Sequence, residues 1–348
     1  MGSKRDIECK LKLAIIGCGT ITERAHLPVA ASSDRFEVVM LVDKFLPRVR
    51  RLAKSYDVMT TVDDYREVIG KVDAAIVALP NYLHAPVAID LLQHGVHVLV
   101  EKPMALRSSD CDEMIKASRD SGAVLAVGLV RRFYWTSQFV KQMVEEGFLG
   151  DILRFDFCEG FIFNWPVKGD FMFRKETGGG ALNSIGPHTL DLLLWWLGDY
   201  DSVEYYDDAM GGVEADCRLH LRLKNGAVGV VELSTIRNLR NTYIIYGERG
   251  TLEVGNSFNS LVRLKMKDQD IVFAGQIMRD GAVDRSILDA FHRQLDDFAE
   301  AIIGHREPFI SGQEGKRTVE LVEACYALRQ PLKQPWMVTG IDKVYHAV

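Results

Sequence analysis

Leu11-Lys12-Leu13-Ala14-Ile15-Ile16-Gly17-Cys18-Gly19-Thr20-Ile21-Thr22 decides the fold. The apolar run Leu11–Ile16 reads as a buried strand, and it ends on a glycine turn that opens into a helix. Gly17 permits the tight turn, and Gly19 lets the backbone come close to a bound group. The first turn of the following helix presents free N–H groups, which favour an anion such as a pyrophosphate. The third glycine usual in a dinucleotide fingerprint is absent, and Thr22 stands in its place. Taken alone, a G-x-G marks only a tight turn, so the surroundings carry the argument.

Working outward, Val38–Val42 reads as a second strand, and Asp43 follows it, 24 residues beyond Gly19. An acid at that offset hydrogen-bonds the hydroxyls of an adenosine ribose. Strand, glycine turn, helix, strand and acid in this order predict a dinucleotide site formed by Gly17, Gly19, Thr20, Ile21 and Asp43. The Asp43 carboxylate favours NAD, because a 2′-phosphate would meet it; Lys44 and Arg48 beside it leave NADP open. Further apolar runs at Ala74–Leu79, His97–Val100 and Val124–Val127 alternate with helix-length segments. Pro86 sits near the start of one such segment, Ala85–His94, and Gly95 follows its end. This grammar predicts an α/β fold: a doubly wound parallel sheet with right-handed crossovers.

After about residue 130 the grammar changes. Leu153–Phe163, Cys217–Lys224, Val228–Thr235, Thr242–Tyr246, Leu252–Val254 and Leu261–Lys267 read as strands separated by tight turns such as Lys224-Asn225-Gly226. Tight turns between neighbours predict antiparallel pairing. One helix, Gly179–Leu197, interrupts the series, and helices at Asp289–Ile303 and Gly315–Leu328 close it, able to pack back on the first domain. The expected division is a dinucleotide-binding domain over residues 8–129 and a substrate-binding and oligomerisation domain over residues 130–348.

Composition excludes several classes of function. The chain has 348 residues, a length that suits about two domains. At 47% hydrophobic and 26% charged it is neither disordered nor fibrous. With 42 Lys+Arg against 48 Asp+Glu the net charge is −6, which argues against general binding to nucleic acid. The longest apolar run, Leu192–Leu197, is far too short for a membrane span. Six cysteines occur without a C-x-x-C pair, and Met1–Leu13 shows no signal peptide, so free thiols in a cytoplasmic protein are expected. Cys and His residues are not clustered, and no metal site is expected.

Two segments carry chemistry. His97–Val100 runs into Glu101-Lys102-Pro103, at the strand end where ligands bind in a doubly wound sheet. A lysine there acts on a substrate or forms a surface ion pair. Farther on, Gly178–Gly180 lets the chain pass close to another backbone or a ligand. On the helix that follows, Ser184, His188 and Asp191 are spaced four and then three residues apart, which places them on one face. The rest of that helix is apolar, and buried polar groups need partners. By spacing alone, a satisfied core histidine remains the alternative.

These motifs, with Gly17-x-Gly19-x-Ile21, Pro80-Asn81-x-x-His84, Gly128-x-x-x-Arg132-Phe133, Gly186-x-His188-x-x-Asp191 and Gly247-x-x-Gly250-Thr-Leu-Glu253, resemble the glucose–fructose oxidoreductase / inositol dehydrogenase / rhizopine catabolism (Gfo/Idh/MocA) family. The resemblance covers nearly the whole chain, in the family's order and spacing. It implies an N-terminal Rossmann domain and a C-terminal α/β domain on a large open, mostly antiparallel sheet. In the family that sheet joins subunits, so a homodimer or homotetramer is implied. Family members oxidise or reduce a secondary alcohol or ketone on a sugar, cyclitol or nucleotide sugar, between the two domains.

By the same resemblance, Pro80, Asn81 and His84 would lie along the nicotinamide half of NAD, with Glu101 beside it. Lys102 corresponds to the family's active-site lysine and His188 to its usual acid/base residue. A histidine suits removal of a hydroxyl proton near neutrality, and an ammonium suits a developing alkoxide; the roles exchange if Lys102 loses its proton. Ser184 stands where many members carry aspartate, a departure that Asp191 compensates in part or answers with a structural role. Arg132 binds substrate or seals the domain junction. Asn164 and Trp165, in the aromatic stretch Phe161–Trp165, suit sugar hydroxyls and sugar faces or pack under a loop. Lys168, Arg174 and Lys175 read as solvated charges, and His26 as packing. Two further functions on this scaffold are an NAD-dependent glycosidase with transient oxidation and a redox-silent, cofactor-binding regulator.

Overall fold

The computed structural model describes residues 10–166, 169–267, 272–279 and 283–332. The expected bounds 8 and 348, Cys9 and Lys168 lie outside the described residues.

The first sheet is parallel throughout. Its strands are β1 (Leu11–Ile16), β2 (Phe36–Val42), β3 (Thr60–Val62), β4 (Ala74–Val77), β5 (His97–Glu101) and β6 (Leu125–Gly128). Their order is β3-β2-β1-β4-β5-β6, so the order reverses between β1 and β4 and opens a crevice above their carboxyl ends. All four residues of β4 and the last four of β1 are buried, as strands covered by helices on both faces must be. The covering helices are α1 (Leu27–Ala31), α2 (Leu46–Ser55), α3 (His84–Gln93) and α4 (Ser108–Ser121). In this sheet only β3 escaped the sequence pattern; it is a three-residue edge strand with no buried residue.

The second sheet has nine strands: β7 (Ile152–Gly160), β8 (Tyr200–Asp207), β9 (Asp216–Leu223), β10 (Val228–Ser234), β11 (Thr242–Gly247), β12 (Gly250–Gly255), β13 (Val262–Met266), β14 (Val272–Gly275) and β15 (Arg329–Pro331). Their order is β14-β13-β12-β11-β7-β10-β9-β8-β15. Of these strands β8, β14 and β15 escaped the sequence pattern. The sheet is mostly antiparallel, as expected, and mixed because β7 pairs parallel with β10 and β15 parallel with β8. The reason is topological. β8–β10 and β11–β14 are two runs in which strands that follow one another pair antiparallel, and β7 inserts between them. A helical segment separates β7 from β8, so no tight turn dictates its direction against β10.

Between β7 and β8 the expected single helix is two: α6 (Ala181–Ser184) and α7 (Gly186–Leu197), with Ile185 between them. Pro187 sits in the first turn of α7, where its missing N–H costs nothing but where an uninterrupted helix would need it. The apolar face of α7, including Leu190, Leu193 and Trp196, joins Phe155, Phe157, Tyr243 and Ile245 of the sheet in one core. Each fully buried large side chain there contributes about 1.5–3 kcal/mol.

α5 (Trp135–Glu145), α8 (Ile287–Ile303) and α9 (Gly312–Ala327) complete the α-helices among the described residues. Ser286 and Asp289 form a capping box that starts α8. Phe291 and Phe298 of this helix lie in the core of the first sheet, against His26 and Phe36. A C-terminal helix therefore packs back on the N-terminal sheet and locks the two halves together.

Candidate active site

The dinucleotide turn follows β1. Gly17 adopts a φ of +97°, and a Cβ there would collide with the Ala78 carbonyl just past β4. That contact closes the switch point, and only glycine allows it. At Gly19, by contrast, a Cβ would meet no atom within 4 Å. The space above the loop is open, as a bound pyrophosphate requires. Thr22 donates its hydroxyl proton to the Gly17 carbonyl at 2.6 Å, so the residue in the third glycine's place ties the turn to the helix. Asp43 accepts the Cys18 N–H at 2.8 Å and the Phe45 N–H at 2.9 Å, and Arg48 lies 3.5 Å away. The acid is thus anchored at the mouth of the loop. Burial, then the Asp43 charge, pushes the Cys18 thiol up to about 12, so it stays protonated.

A cavity of about 350 Å³ opens beside this loop, between the two sheets. Ile21, Asn81, His84, Glu101, Lys102, Arg131, Glu159, Phe161, Trp165, Ser184 and His188 all line it. Its dinucleotide side is a set of linked strand ends. His84 is buried, with its ring nitrogens 2.8 Å from the carbonyls of Leu79 and Pro103, and so joins the ends of β4 and β5. Pro80 precedes the short helical turn Asn81–Leu83, from which Asn81 donates to the Gly178 carbonyl at 3.0 Å. Glu101 sits 2.8 Å from His26 and accepts the Lys102 N–H at 3.1 Å. Burial raises its pKa, but the hydrogen bond and charge of His26 and the charge of Lys102 outweigh it and hold the carboxyl low. His26 is therefore a partner of the site, not mere packing.

Lys102 reaches across the cavity and donates to the Ser184 carbonyl at 2.8 Å. Burial pulls its pKa down, against the raising charge of Glu101. His188 stands on the first turn of α7, and its Nδ1 is buried with no hydrogen-bond partner among the described residues. Burial, then the charges of Lys102 and Arg131, drives its pKa well below 6.5. Beneath this pair lies a closed network. Arg131 donates to both oxygens of Glu159 at 2.7 Å and to Tyr243 at 2.8 Å, while the Thr189 and Tyr243 hydroxyls also reach Glu159. Glu159 is held ionised because Arg131's charge and hydrogen bonds, with Thr189 and Tyr243, overcome the cost of burial.

Not every candidate reaches the cavity. Arg132 and Asp191 form a bidentate pair at 2.6–3.0 Å, with side chains 2% and 1% exposed, away from the lining. Arg132 also reaches Glu314 at 2.7 Å. The shared face expected for Ser184, His188 and Asp191 is therefore not present. The break at Ile185 puts Ser184 on α6, and the polar partner of Asp191 lies on another side of α7. Asn164 is exposed, and Arg174 and Lys175 are exposed as well.

The aromatic stretch, however, does face the site. Phe161 and Phe163 continue β7 in extended form, donating to the carbonyls of Ser234 and Thr235 at 3.1 and 2.8 Å. Alternation along an extended chain then turns Phe161, Phe163 and Trp165 to the cavity and Ile162 and Asn164 away. Trp165 also lies under the Arg24 guanidinium at 5.1 Å, and Thr20 donates to the Pro166 carbonyl at 2.6 Å, so the arm reaches the dinucleotide loop. Arg131, Glu159, Tyr134, Ile287 and Phe291 line the cavity without having been singled out in the sequence. Arg131 and Arg132 are neighbours, and only the helical turn Val130–Phe133 decides which of them faces inward.

Among the described residues, no three His, Cys, Asp or Glu side chains are grouped to hold a metal, and no helix is long and apolar enough to cross a membrane. The five described cysteines are free and buried.

Known proteins match this architecture. A family model for the oxidoreductase family with an NAD-binding Rossmann fold matches residues 11–129, and a model for the GFO/IDH/MocA C-terminal domain matches residues 137–253. D-glucoside 3-dehydrogenase of Escherichia coli (strain K12) is 31% identical over 190 residues, which cover 54% of this chain and 54% of that protein. The dTDP-3,4-didehydro-2,6-dideoxy-alpha-D-glucose 3-reductase of Actinomadura kijaniata is 25% identical over 90% of this chain and 94% of its own length. The chain spans about half the length of the first curated relatives it matches. Among solved structures, the WlbA dehydrogenase of Bordetella pertussis, in complex with NADH and UDP-GlcNAcA, superposes with a TM-score of 0.79 at 26% identity, covering 93% of this chain and 96% of that one. With an NAD-binding Rossmann sheet, a mixed nine-stranded sheet and both family models in register along it, the chain belongs to the Gfo/Idh/MocA oxidoreductase family.

Proposed function

We propose that this chain is an NAD(P)-dependent dehydrogenase or reductase acting on a secondary alcohol or ketone of a sugar, cyclitol or nucleotide sugar. The observation that carries the reading is the meeting of Lys102 and the His188 imidazole, whose buried Nδ1 has no hydrogen-bond partner among the described residues, in one cavity beside the dinucleotide loop. Open space over Gly19 and the anchored Asp43 carboxylate fit a dinucleotide, and Asp43 favours NAD. When bound, the nicotinamide supplies or accepts the hydride.

The chain's own residues handle the proton. His188, unprotonated near neutrality, takes the hydroxyl proton during oxidation and returns it during reduction. Lys102, pinned through the Ser184 carbonyl, aims its remaining N–H bonds at the reacting oxygen and stabilises negative charge there. Ser184 and the Arg131–Glu159 network hold neighbouring hydroxyls and fix the floor beneath the pair. Trp165 covers the substrate. Arg132 and Asp191 act at one remove, holding α7 and so the position of His188. Subunits associate through the nine-stranded sheet.

The test is a panel of sugars, cyclitols and nucleotide sugars incubated with the protein and NAD or NADP, read by absorbance of the reduced cofactor. Formation of reduced cofactor with at least one compound, faster with NAD, is the expected result. No reduction across the panel, with release of a reducing sugar instead, would replace this reading by the glycosidase.

A further inference from the structure

The charges that line the cavity cancel. Among the described residues its ammonium and guanidinium groups are Lys102 and Arg131, and its carboxylates are Glu101 and Glu159. Arg131 is spent on Glu159 through two hydrogen bonds of 2.7 Å. Lys102 is committed to the Ser184 carbonyl and, in the proposed reaction, to the reacting oxygen. A carboxylate or diphosphate drawn from water into such a space loses its hydration and meets two buried carboxylates, and the one cation there without a carboxylate partner, Lys102, is the group that the proposed reaction needs at the reacting oxygen. Arg24 does not supply one, because it lies outside the lining and stacks on Trp165.

The facing wall is the opposite of a charged site. The alternation along the extended arm presents Phe161, Phe163 and Trp165, and Phe171 and Met172 from the next turn extend the apolar surface. Phe163 is itself braced edge-on by Phe173 at 5.8 Å. Apolar surface on this scale gains free energy by covering other apolar surface, and aromatic faces reward flat, uncharged partners.

We propose that the substrate of this cavity is a neutral glycoside, an uncharged sugar ring carrying an apolar aglycone seated on the aromatic arm, and not a uronate or a sugar nucleotide. The proposal rests on the reading of the cavity as a sugar site, but its test reads binding separately from turnover. Matched sets are titrated by calorimetry into the NAD-loaded protein: phenyl glycosides of the common hexoses, the corresponding phenyl glucuronide and galacturonide, the free hexoses, and UDP-glucose and UDP-galactose.

The best phenyl glycoside should bind at least about tenfold more tightly than its uronide, its nucleotide counterpart and the free hexose. Trp165→Ala should weaken the phenyl glycoside more than the free hexose. Glu159→Gln, which leaves Arg131 unneutralised, should shrink the penalty on the uronide. Tighter binding of a uronide or UDP-sugar, equal binding with and without the phenyl group, or binding of no neutral member overturns the proposal. If the glycoside binds as expected while no cofactor is reduced, the redox reading fails and this one stands.

Discussion

The Lys102 ammonium donates a 2.8 Å hydrogen bond to the main-chain carbonyl of Ser184. A residue at the end of the first sheet is thereby held by the helix that precedes His188 in the second domain. The acceptor is backbone, so the position of Lys102 does not depend on which side chain residue 184 carries. Ser184→Ala should leave Lys102 in place and lower kcat/KM by less than about tenfold, since one neutral hydrogen bond is worth about 0.5–1.5 kcal/mol. Steady-state kinetics with the best substrate checks this; a loss of a hundredfold or more would make the serine hydroxyl part of the chemistry.

The pH profile follows from His188. Burial and the charges of Lys102 and Arg131 lower its pKa, so the imidazole remains a base below pH 6.5. Oxidation should therefore keep its rate through neutrality and fall only as the pH drops below about 6.5 toward that lowered value. Stability moves the same way. The unfolded chain takes up a proton on this histidine near 6.5 while the folded chain resists, so the contribution is full above about 6.5 and is lost as pH falls. In His188→Asn both acid limbs should flatten, which kcat/KM profiles and urea midpoints against pH will show.

Arg132 tests a structural role. Its removal strands the Asp191 carboxylate, 1% exposed, without a counter-charge. Arg132→Met should cost about 3–5 kcal/mol of stability in denaturant unfolding, and Arg132→Met with Asp191→Leu should recover much of that loss. Cofactor affinity of the fraction that folds should not change. A neutral effect of the single substitution would mean the pair adds nothing to the fold.

Two glycines two residues apart should respond differently. Gly17→Ala collides with the Ala78 carbonyl at a φ of +97°, so the protein should unfold more readily. Gly19→Val enters open space, so the melting temperature should hold while NADH affinity falls at least about tenfold. Thermal melts with and without NADH separate the two.

The glycine turn, Asp43 and the nearly continuous apolar strands made the first sheet legible, because a sheet covered on both faces writes its burial into consecutive residues. The second sheet was harder for a physical reason. The parallel pairing of β7 with β10 joins segments far apart in the chain, and no turn residue records it. Ser184, His188 and Asp191 had the spacing of one face, but Pro187 divides the helix and Asp191 turns to Arg132. Lys102 and His188 were singled out through the family resemblance, because the motifs that carry it are local in the chain, whereas spacing alone left an ion pair and a core histidine open. Arg131 and Glu159 were not: they come from the turn after β6 and from β7, and only folding brings them together.

In the proposed reaction Lys102 and His188 act on the reacting oxygen and not on the cofactor. Turnover and NADH binding measured together on Lys102→Met and His188→Asn test it most directly. NADH dissociation constants within about threefold of wild type, with kcat lowered by at least about a hundredfold in each variant, are the predicted result. Wild-type-like kcat in both variants would contradict the account.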